Sequence, residues 1–320
     1  MTKYGKTYSK KEYALREQIF ANKVAIVTAH NNAAAKGEHT HTLGINKFSD
    51  MTADEWRATL LSKKPKSNTR TVGETPQGVI DASFNLPASV NWTAGVAGVV
   101  ADVGVKDQGQ CGSCWAFATV GSLEGAFAVA GNKLTSFSEQ QIVSCDKKSG
   151  NAGCNGGDQI TALKWIASGN SICTEADYPY KSGGGKDGKC ETTCKPAIKI
   201  TGAYELKPNN ETEVLASLAL HPISLSVDAS NDKIWQDYAG GVVTAKCSTC
   251  TKPDCLDHGV TGVGYGTDSS GQDYYIVKNS WGVDWGMSGY ILLARGDKYN
   301  PSGQCGVQID NQYPLGVSPA

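Results

Sequence analysis

The stretch KDQGQCGSCWAFA places two cysteines, Cys111 and Cys114, three positions apart in front of a tryptophan. Such a pair is compatible with a zinc site, a redox dithiol, a disulfide corner or a nucleophile. A zinc site needs about four ligands, and a redox pair should follow a strand of a βαβ unit. The Gly and Trp neighbours of this pair and the odd cysteine count disfavour zinc, and the polar, turn-forming segment VKDQGQ before it disfavours a redox pair.

A thiol nucleophile fits this position better. The apolar periodicity from Phe117 to Phe127 predicts a helix that begins at Cys114 and ends at Gly131. The dipole and the free N–H groups of a helix start favour a thiolate. The chain has 11 cysteines, so pairing in an oxidising compartment would leave one thiol over. Thiol chemistry of this kind requires no metal and no other cofactor.

A thiolate nucleophile needs a base and a group that orients the base. Of the five histidines, three lie in the first 41 residues. His221 precedes a proline at a strand entry and is interpreted as structural, which leaves His258 in LDHGV, where a strand begins. Asn279 in VKNSWG lies at a predicted strand end, beside Trp281, and could hold the imidazole.

The elements around these residues divide into two kinds. Residues 7–35 read as a long helix, residues 63–85 lose all periodicity and read as a linker, and a second helix is predicted from Gln159 to Ser168. From about residue 200, short β-rich runs dominate. A helical half therefore precedes a β-rich half, and a cleft between two packed halves is a common place for an active site.

Motifs along almost the whole chain resemble the papain family of cysteine proteases, in its cathepsin L-like branch. His258 lies 144 residues after Cys114, and Asn279 lies 165 residues after it, slightly beyond the usual spacing of about 130–150. The front segment, residues 1–62, resembles the inhibitory propeptide of that branch through Glu12, Arg16, Phe20, Asn31 and the run GINKFSD. The other matching motifs are QGQCGSCWAF, SEQQIVSCD, GCNGGD, YPY, LDHGV and KNSWGVDWGMSGY.

The resemblance implies an α+β, papain-like two-domain fold, with a helical left domain and a β-barrel-like right domain, preceded by a helical propeptide. The expected boundaries are 1–62 for the inhibitory propeptide domain, 63–85 for its linker and 86–320 for the peptidase domain. The implied activity is that of a cysteine endopeptidase in its zymogen form. A catalytically inactive binding or storage homologue, and a transpeptidase that uses the same acyl-enzyme, remain as alternatives.

The resemblance also assigns roles to residues. Cys114 attacks the peptide carbonyl, His258 forms the ion pair and protonates the leaving amine, Asn279 orients His258, and Gln108 completes the oxyanion hole with the Cys114 N–H. The expected substrate-binding residues are Gly156, Gly157, Asp158, Gln159, Ser226, Leu256, Asp257, Gly259, Trp281 and Asp310. Asp310 would form the floor of the pocket for the residue two positions before the cleaved bond (P2), so we expect tolerance of Arg or Lys there.

Disulfide pairing cannot be deduced from sequence alone, so it follows the resemblance. The expected bridges are Cys111–Cys154, Cys145–Cys190 and Cys247–Cys305. The pairing of the remaining cysteines stays open; Cys173–Cys194 and Cys250–Cys255 are the favoured guesses.

Charge is distributed unevenly along the chain. Residues 1–85 carry 13 Lys/Arg and 8 Asp/Glu, whereas residues 86–320 carry 17 and 23. The two parts should therefore attract each other, and acid should weaken the attraction by protonating carboxylates. Asp50 and the three front histidines are candidate pH sensors for release of the front segment.

Net charge and hydropathy limit the classes of binding partner that we expect. The net charge of −1 gives no signal for nucleic-acid binding, and no apolar run approaches the roughly 20 residues of a membrane helix. We expect a monomer that binds peptide or protein substrates, its own propeptide and cystatin-like inhibitors. A lysosomal, vacuolar or secreted location is expected, although residues 1–20 do not resemble a secretory signal. Asn91 and Asn210 lie in glycosylation sequons, and Asn210 is the favoured one.

Overall fold

The computed structural model describes residues 2–62, 85–299 and 301–320. The predicted linker, residues 63–85, falls almost entirely outside the described residues. Within the described ranges the helices are α1 (Lys10–Ala34), α2 (Ala53–Leu60), α3 (Cys114–Val129), α4 (Glu139–Cys145), α5 (Gln159–Ala167), α6 (Glu211–Leu220) and α7 (Asp232–Trp235).

The strands form two sheets, one of nine strands and one of three. The larger has the order β1-β7-β10-β9-β8-β6-β11-β5, with β2 paired to β8, and the smaller has the order β12-β4-β3. The strands are β1 (His41–Leu43), β2 (Val90–Asn91), β3 (Ile172–Cys173), β4 (Pro196–Lys199), β5 (Gly202–Glu205), β6 (Ile223–Val227), β7 (Tyr238–Val243), β8 (His258–Thr267), β9 (Asp273–Lys278), β10 (Tyr290–Ala294), β11 (Asn311–Leu315) and β12 (Ser318–Pro319).

The helix that begins at Cys114 is buried along almost its whole length, from Cys114 to Ala128. Two glycines allow it to lie close to the sheet. A Cβ at Gly121 would come within 2.3 Å of Thr261 Oγ1, and a Cβ at Gly125 within 2.4 Å of Pro222 Cγ. Since no side chain fits in these gaps, Gly121 lets α3 approach the strand that begins at His258, and Gly125 lets it approach Pro222, which directly precedes β6.

The front segment packs onto the β-rich half. Helix α1 begins at the N-cap Ser9, and α2 begins with a capping box in which Thr52 and Glu55 satisfy each other's backbone N–H groups. Strand β1 adds to the edge of the large sheet, antiparallel to β7, with His41 opposite Gly241. The front segment is thus bound through main-chain pairing as well as through side chains.

Charge complementarity contributes at this interface, in agreement with the uneven charge of the sequence. Lys23 pairs with Asp237 at 2.6 Å, and Arg57 pairs with Asp232 at 2.5 Å; Lys47 also pairs with Asp107. Each pair joins a basic front residue to an acidic residue of the body. None of the helices in the described ranges is both long and apolar enough to span a bilayer.

Candidate active site

Cys114 is the first residue of α3, and its thiol is the free one among the cysteines of the described chain. The side chain is 0% exposed. The N-cap residue Ser113 makes no capping hydrogen bond with its side chain, so its hydroxyl does not occupy the backbone N–H groups at the positive end of the helix dipole. The helix ends at Val129, two residues before the predicted end at Gly131, which has φ +86°.

His258 begins β8 on the facing half and is 1% exposed. Its Nε2 lies 2.7 Å from Asn279 Oδ1. Asn279 directly follows β9, and its backbone N–H donates to Gly289 O. The indole of Trp281 stacks on the imidazole at a centroid distance of 4.7 Å. The opposite nitrogen of the ring, Nδ1, has no hydrogen-bond partner among the described residues, and is therefore free to serve a thiol.

The two halves meet through Gly259, the residue after His258. Its backbone contributes a hydrogen bond at the Cys114 thiol. A Cβ at this position would lie 3.0 Å from Cys114 O and 2.9 Å from Gln159 Nε2. Glycine at 259 therefore lets β8 approach the start of α3 closely.

Gln108 is fully buried beside Cys111 and Cys114. Its Oε1 accepts a hydrogen bond from Ser280 Oγ at 2.7 Å, and its backbone N–H donates to Ser280 O. These contacts fix the amide so that Nε2 donates to Leu60 O and to Cys111 O, each at 3.0 Å. Leu60 belongs to the front segment.

The front segment covers the site. Ser62 Oγ lies 3.2 Å from Cys114 Sγ, and the Ser62 N–H donates to Asp257 O at 2.9 Å. On the other side of His258, Phe48 and Trp56 pack edge-on against Trp281, with centroid distances of 5.8 and 5.5 Å. A carbonyl, a hydroxyl and two aromatic rings of the front segment therefore cover Gln108, Cys114 and Trp281.

Burial under this cover changes both titratable groups. It raises the pKa of the Cys114 thiol, although hydrogen bonds from the Gly259 backbone and from Ser62 act in the opposite direction. Burial also lowers the pKa of His258 to about 4, against the effect of the Asn279 contact. Both shifts favour neutral groups, so the covered site disfavours a thiolate–imidazolium pair.

Several expected pocket residues lie together beside this site. Asp310 is 4% exposed, and its Oδ2 accepts a hydrogen bond from Ser226 Oγ at 3.1 Å. Gln159 Nε2 donates to the same Ser226 hydroxyl at 3.1 Å. Ser226 lies opposite Gly259 in the β6–β8 pairing, which puts the Asp310 carboxylate one strand away from the residue that contacts Cys114.

Four other expected substrate-binding residues also make contacts that stabilise the surrounding fold or adopt a backbone conformation that favours glycine. Asp158 caps α5 by accepting from the Thr161 N–H, and Asp257 accepts from the Ala229 N–H at 2.8 Å. Burial raises the pKa of Asp257 to about 7. Gly157 lies against the Trp115 indole, where a Cβ would come within 2.4 Å, while Gly156 has φ +116°.

Five disulfides are present in the described chain: Cys111–Cys154, Cys145–Cys190, Cys173–Cys194, Cys247–Cys305 and Cys250–Cys255. Cys111 is therefore bridged and unavailable to a metal. No group of three or more His, Cys, Asp or Glu side chains in residues 2–62, 85–299 and 301–320 is arranged to hold a metal ion.

The sequence did not single out several residues that complete the site. Ser280 orients Gln108, Tyr180 OH donates to Gln108 O at 2.8 Å, and Leu60 and Ser62 contact the site from the front segment. Ser280 follows Asn279 directly, so its place in the KNSWG motif was an available signal. The types of Leu60 and Ser62 carry no such signal, because Leu60 contacts Gln108 through its backbone carbonyl and Ser62 contacts Cys114 through a single hydroxyl.

Family profiles match this sequence in two parts. Residues 86–315 match the papain family cysteine proteases, and residues 1–56 match the cathepsin propeptide inhibitor domain. The probable cysteine protease RD21B of Arabidopsis thaliana is 41% identical over 302 residues, which cover 94% of this chain and 60% of that protein. The senescence-specific cysteine protease SAG39 of Oryza sativa subsp. indica is 37% identical over 318 residues, covering 98% and 88%. The chain thus spans less than two thirds of RD21B.

Solved structures of similar shape include precursors. The recombinant stem bromelain precursor has a TM-score of 0.84 and 36% identity, covering 99% of this chain and 96% of that one. Digestive procathepsin L 3 from the Tenebrio molitor larval midgut has a TM-score of 0.83 and 34% identity, covering 98% and 96%. These likenesses confirm the expected fold, in which a helical and a β-rich half follow a helical front segment.

Proposed function

Because the chain belongs to the papain family of cysteine proteases and carries the family's propeptide inhibitor domain, we propose that it is the zymogen of an endopeptidase. The front segment, from here on the propeptide, inhibits it in cis. The observation that carries this proposal is a pair of propeptide contacts above the His258–Asn279 pair: the Leu60 carbonyl accepts from Gln108, and the Ser62 hydroxyl contacts Cys114.

The proposed reaction begins once the propeptide has left. Solvent then returns to Cys114 and His258, which removes the burial that opposes their ion pair. The thiolate attacks the peptide carbonyl carbon, and the developing oxyanion accepts hydrogen bonds from the Cys114 N–H and Gln108 Nε2. His258 gives its proton to the leaving amine, which leaves a thioester. Water then attacks the thioester carbon while His258 takes a proton from it; the carbon–sulfur bond breaks, which releases the acid and restores the Cys114 thiolate beside protonated His258.

Two measurements test this function. A thiol-directed epoxide should label Cys114 in the processed protein and not in the zymogen, where the thiol is buried, and peptide mapping locates the adduct. Product analysis with a peptide and an added amine separates hydrolysis from transpeptidation. Labelling of another residue, or transfer of the acyl group to the amine as the main product, would contradict an endopeptidase with a Cys114 nucleophile.

The P2 preference follows from the carboxylate of Asp310. It is buried, it lies one strand from Gly259, and it accepts a hydrogen bond from Ser226. A guanidinium or ammonium group that reaches this carboxylate would form a charge-assisted hydrogen bond. We therefore propose that basic residues are accepted at P2 beside medium-sized apolar ones.

Substitution of Asp310 by asparagine should lower the ratio of kcat/KM for Arg over Leu at P2 by about tenfold or more, because the acceptor loses its negative charge while the shape of the side chain is kept. The ratio is measured with paired peptide substrates near neutral pH. Asp268→Asn, in an exposed turn, is the matched control. A Leu preference that Asp310→Asn leaves unchanged would end the proposal of a basic P2 preference.

Acid release of the propeptide is proposed to involve a histidine cluster. His30 stacks on His39 at a centroid distance of 4.2 Å, and His41 lies 4.7 Å from His30. His41 is 3% exposed, and neither of its ring nitrogens has a hydrogen-bond partner in the described chain. Asp50, another proposed sensor, is buried and accepts hydrogen bonds from Lys6 and Tyr8.

Burial, followed by the charges of His30 and His39, lowers the pKa of His41 from 6.5 to about 4. The docked state therefore prefers the neutral ring. The preference for a neutral His41 ring stabilises propeptide docking fully above pH 6.5, and this stabilisation is lost as the pH falls from 6.5 toward 4. At pH 5 the equilibrium constant for propeptide docking is therefore expected to be about 30-fold smaller than at pH well above 6.5.

His41→Phe, which keeps an aromatic ring that cannot titrate, should slow activation about tenfold at pH 5 and leave it nearly unchanged at pH 7. The readout is the half-time for active-site labelling, expressed as the ratio of variant to wild type at each pH. Leu43→Ala weakens the same strand without changing its charge, and should speed activation at every pH. A His41→Phe ratio that does not vary with pH would exclude His41 as a sensor.

The remaining expectations form part of the proposal. Five disulfides suit an oxidising compartment, so a vacuolar, lysosomal or secreted location is proposed, with action as a monomer and inhibition by cystatin-like proteins. For glycosylation, the exposed Asn91 is now favoured over Asn210. The Asn210 side chain caps α6 and bonds to Glu213, and a glycan on its amide would disturb that contact.

A further inference from the structure

The loop between Cys247 and Leu256 lies next to the proposed P2 pocket and carries its own bridge. Cys250 and Cys255 are joined, with four residues between them, and a single helical turn at Pro253–Cys255 leads straight to Leu256 and Asp257. The catalytic candidate His258 follows. The loop is therefore closed three residues before the imidazole.

Side-chain packing connects this loop to the pocket. Cys250, Leu256 and Ile309 form an apolar cluster separate from the two main cores. They converge on Gly306, where a Cβ would lie 2.9 Å from Leu256 Cδ2 and 3.0 Å from Ile309 Cδ1. Leu256 therefore packs against the Gly306 backbone in one cluster with Cys250 and Ile309, and no space is left there for a side chain at position 306.

The cluster connects to the pocket at two points. Leu256 is itself an expected pocket residue, and Ile309 directly precedes the expected pocket residue Asp310, whose carboxylate accepts a hydrogen bond from Ser226. On the other side, the loop is held by Cys247–Cys305 and by the Ser248 hydroxyl, which donates to Asp228. The segment between these anchors is short, and a bridge within it removes most of its remaining freedom.

We propose that the Cys250–Cys255 bridge is a specificity determinant, which holds Leu256 against Ile309 and so limits the size of side chain that the P2 pocket admits. This inference rests on the proposed endopeptidase function. Without the bridge the wall at Leu256 relaxes, so bulky apolar P2 residues gain relative to small ones. The Asp310 carboxylate stays in place, so the preference between Arg and Leu changes little.

The test compares two matched bridge deletions in the processed protein. Cys250→Ser/Cys255→Ser should raise the kcat/KM ratio for Phe over Val at P2 about fivefold. Cys173→Ser/Cys194→Ser, which removes a bridge of the helical half, should leave the ratio within about twofold of wild type. Concentrations of active enzyme are set by titration with the thiol-directed epoxide, so a failure of the proposed function appears as absent labelling in wild type.

Leu256→Ala shows whether the bridge acts through this wall. It should raise the same ratio, and combining it with the bridge deletion should add little, since both changes remove one constraint. A Cys250→Val/Cys255→Ala pair keeps apolar contact at position 250 and guards against misfolding of the serine pair. An unchanged Phe/Val ratio in the bridge deletions would overturn the inference. So would full additivity with Leu256→Ala, or failure of both bridge deletions to fold while the Cys173/Cys194 deletion folds.

Discussion

Cys114→Ala is expected to abolish peptide hydrolysis, with a fall in kcat on the order of 10⁵-fold or more, because the variant lacks the proposed nucleophile that would form the thioester. The purified zymogen should also fail to cleave itself at about pH 5, however long the propeptide has been released. Electrophoresis of the incubated zymogen and a peptide assay measure the two effects.

A second substitution at the same position serves as the control. Cys114→Ser keeps a hydroxyl beside Ser62 and should be as inactive as the alanine variant, while both should retain the His258–Asn279 contact. Added wild-type enzyme should still process either variant, which demonstrates a folded and cleavable zymogen. Self-cleavage by either purified variant would refute Cys114 as the nucleophile.

Gln108→Ala should lower kcat by about 10²–10³-fold with little change in KM, because its Nε2 is proposed to serve the oxyanion of the transition state. The same donor holds Leu60 O in the zymogen at 3.0 Å. Loss of this hydrogen bond should weaken propeptide docking by up to about tenfold. One substitution should therefore reduce both catalysis and inhibition.

Gln108→Glu separates the donor from the shape of the side chain. A glutamate can still accept from Ser280 Oγ, whereas it cannot donate to an oxyanion or to Leu60 O. Its kcat should fall as far as that of the alanine variant. Gln140→Ala, which alters a buried glutamine of the helical half bonded to Ser144 and Ser182, should leave kcat within a few-fold. A fall in kcat/KM that comes from KM alone would contradict the oxyanion role.

Local signals predicted the elements that carry the reactive groups. The period of apolar residues predicted α3 to within two residues at its end, and β-rich runs predicted β8 and β9, which begin at His258 and end just before Asn279. These segments are periodic and strongly apolar, so their type follows from their own residues. The first helix was predicted at 7–35 and extends from Lys10 to Ala34, because Ser9 caps it.

Contacts between residues far apart in the chain could not be predicted from local sequence patterns. Arg16 lies 3.5 Å from Glu12 one turn away, yet its closer partner is Glu55 of α2, at 2.6 Å. Helix α2 itself was not predicted, although TADE carries a capping-box signal. Whether Leu60 O meets Gln108 depends on how α2 docks on a sheet formed mainly by residues far along the chain, and no local pattern encodes that.

The site beneath the propeptide is already assembled, since the His258–Asn279 contact, the Gln108 orientation and the Gly259 approach are all present while the cover is on. The zymogen would then be inactive because the propeptide is mostly docked, and not because part of the active site is unformed. The leak of a stored zymogen would equal the fraction of molecules whose cover is open, and each 1.4 kcal/mol of lost docking free energy would multiply that leak about tenfold.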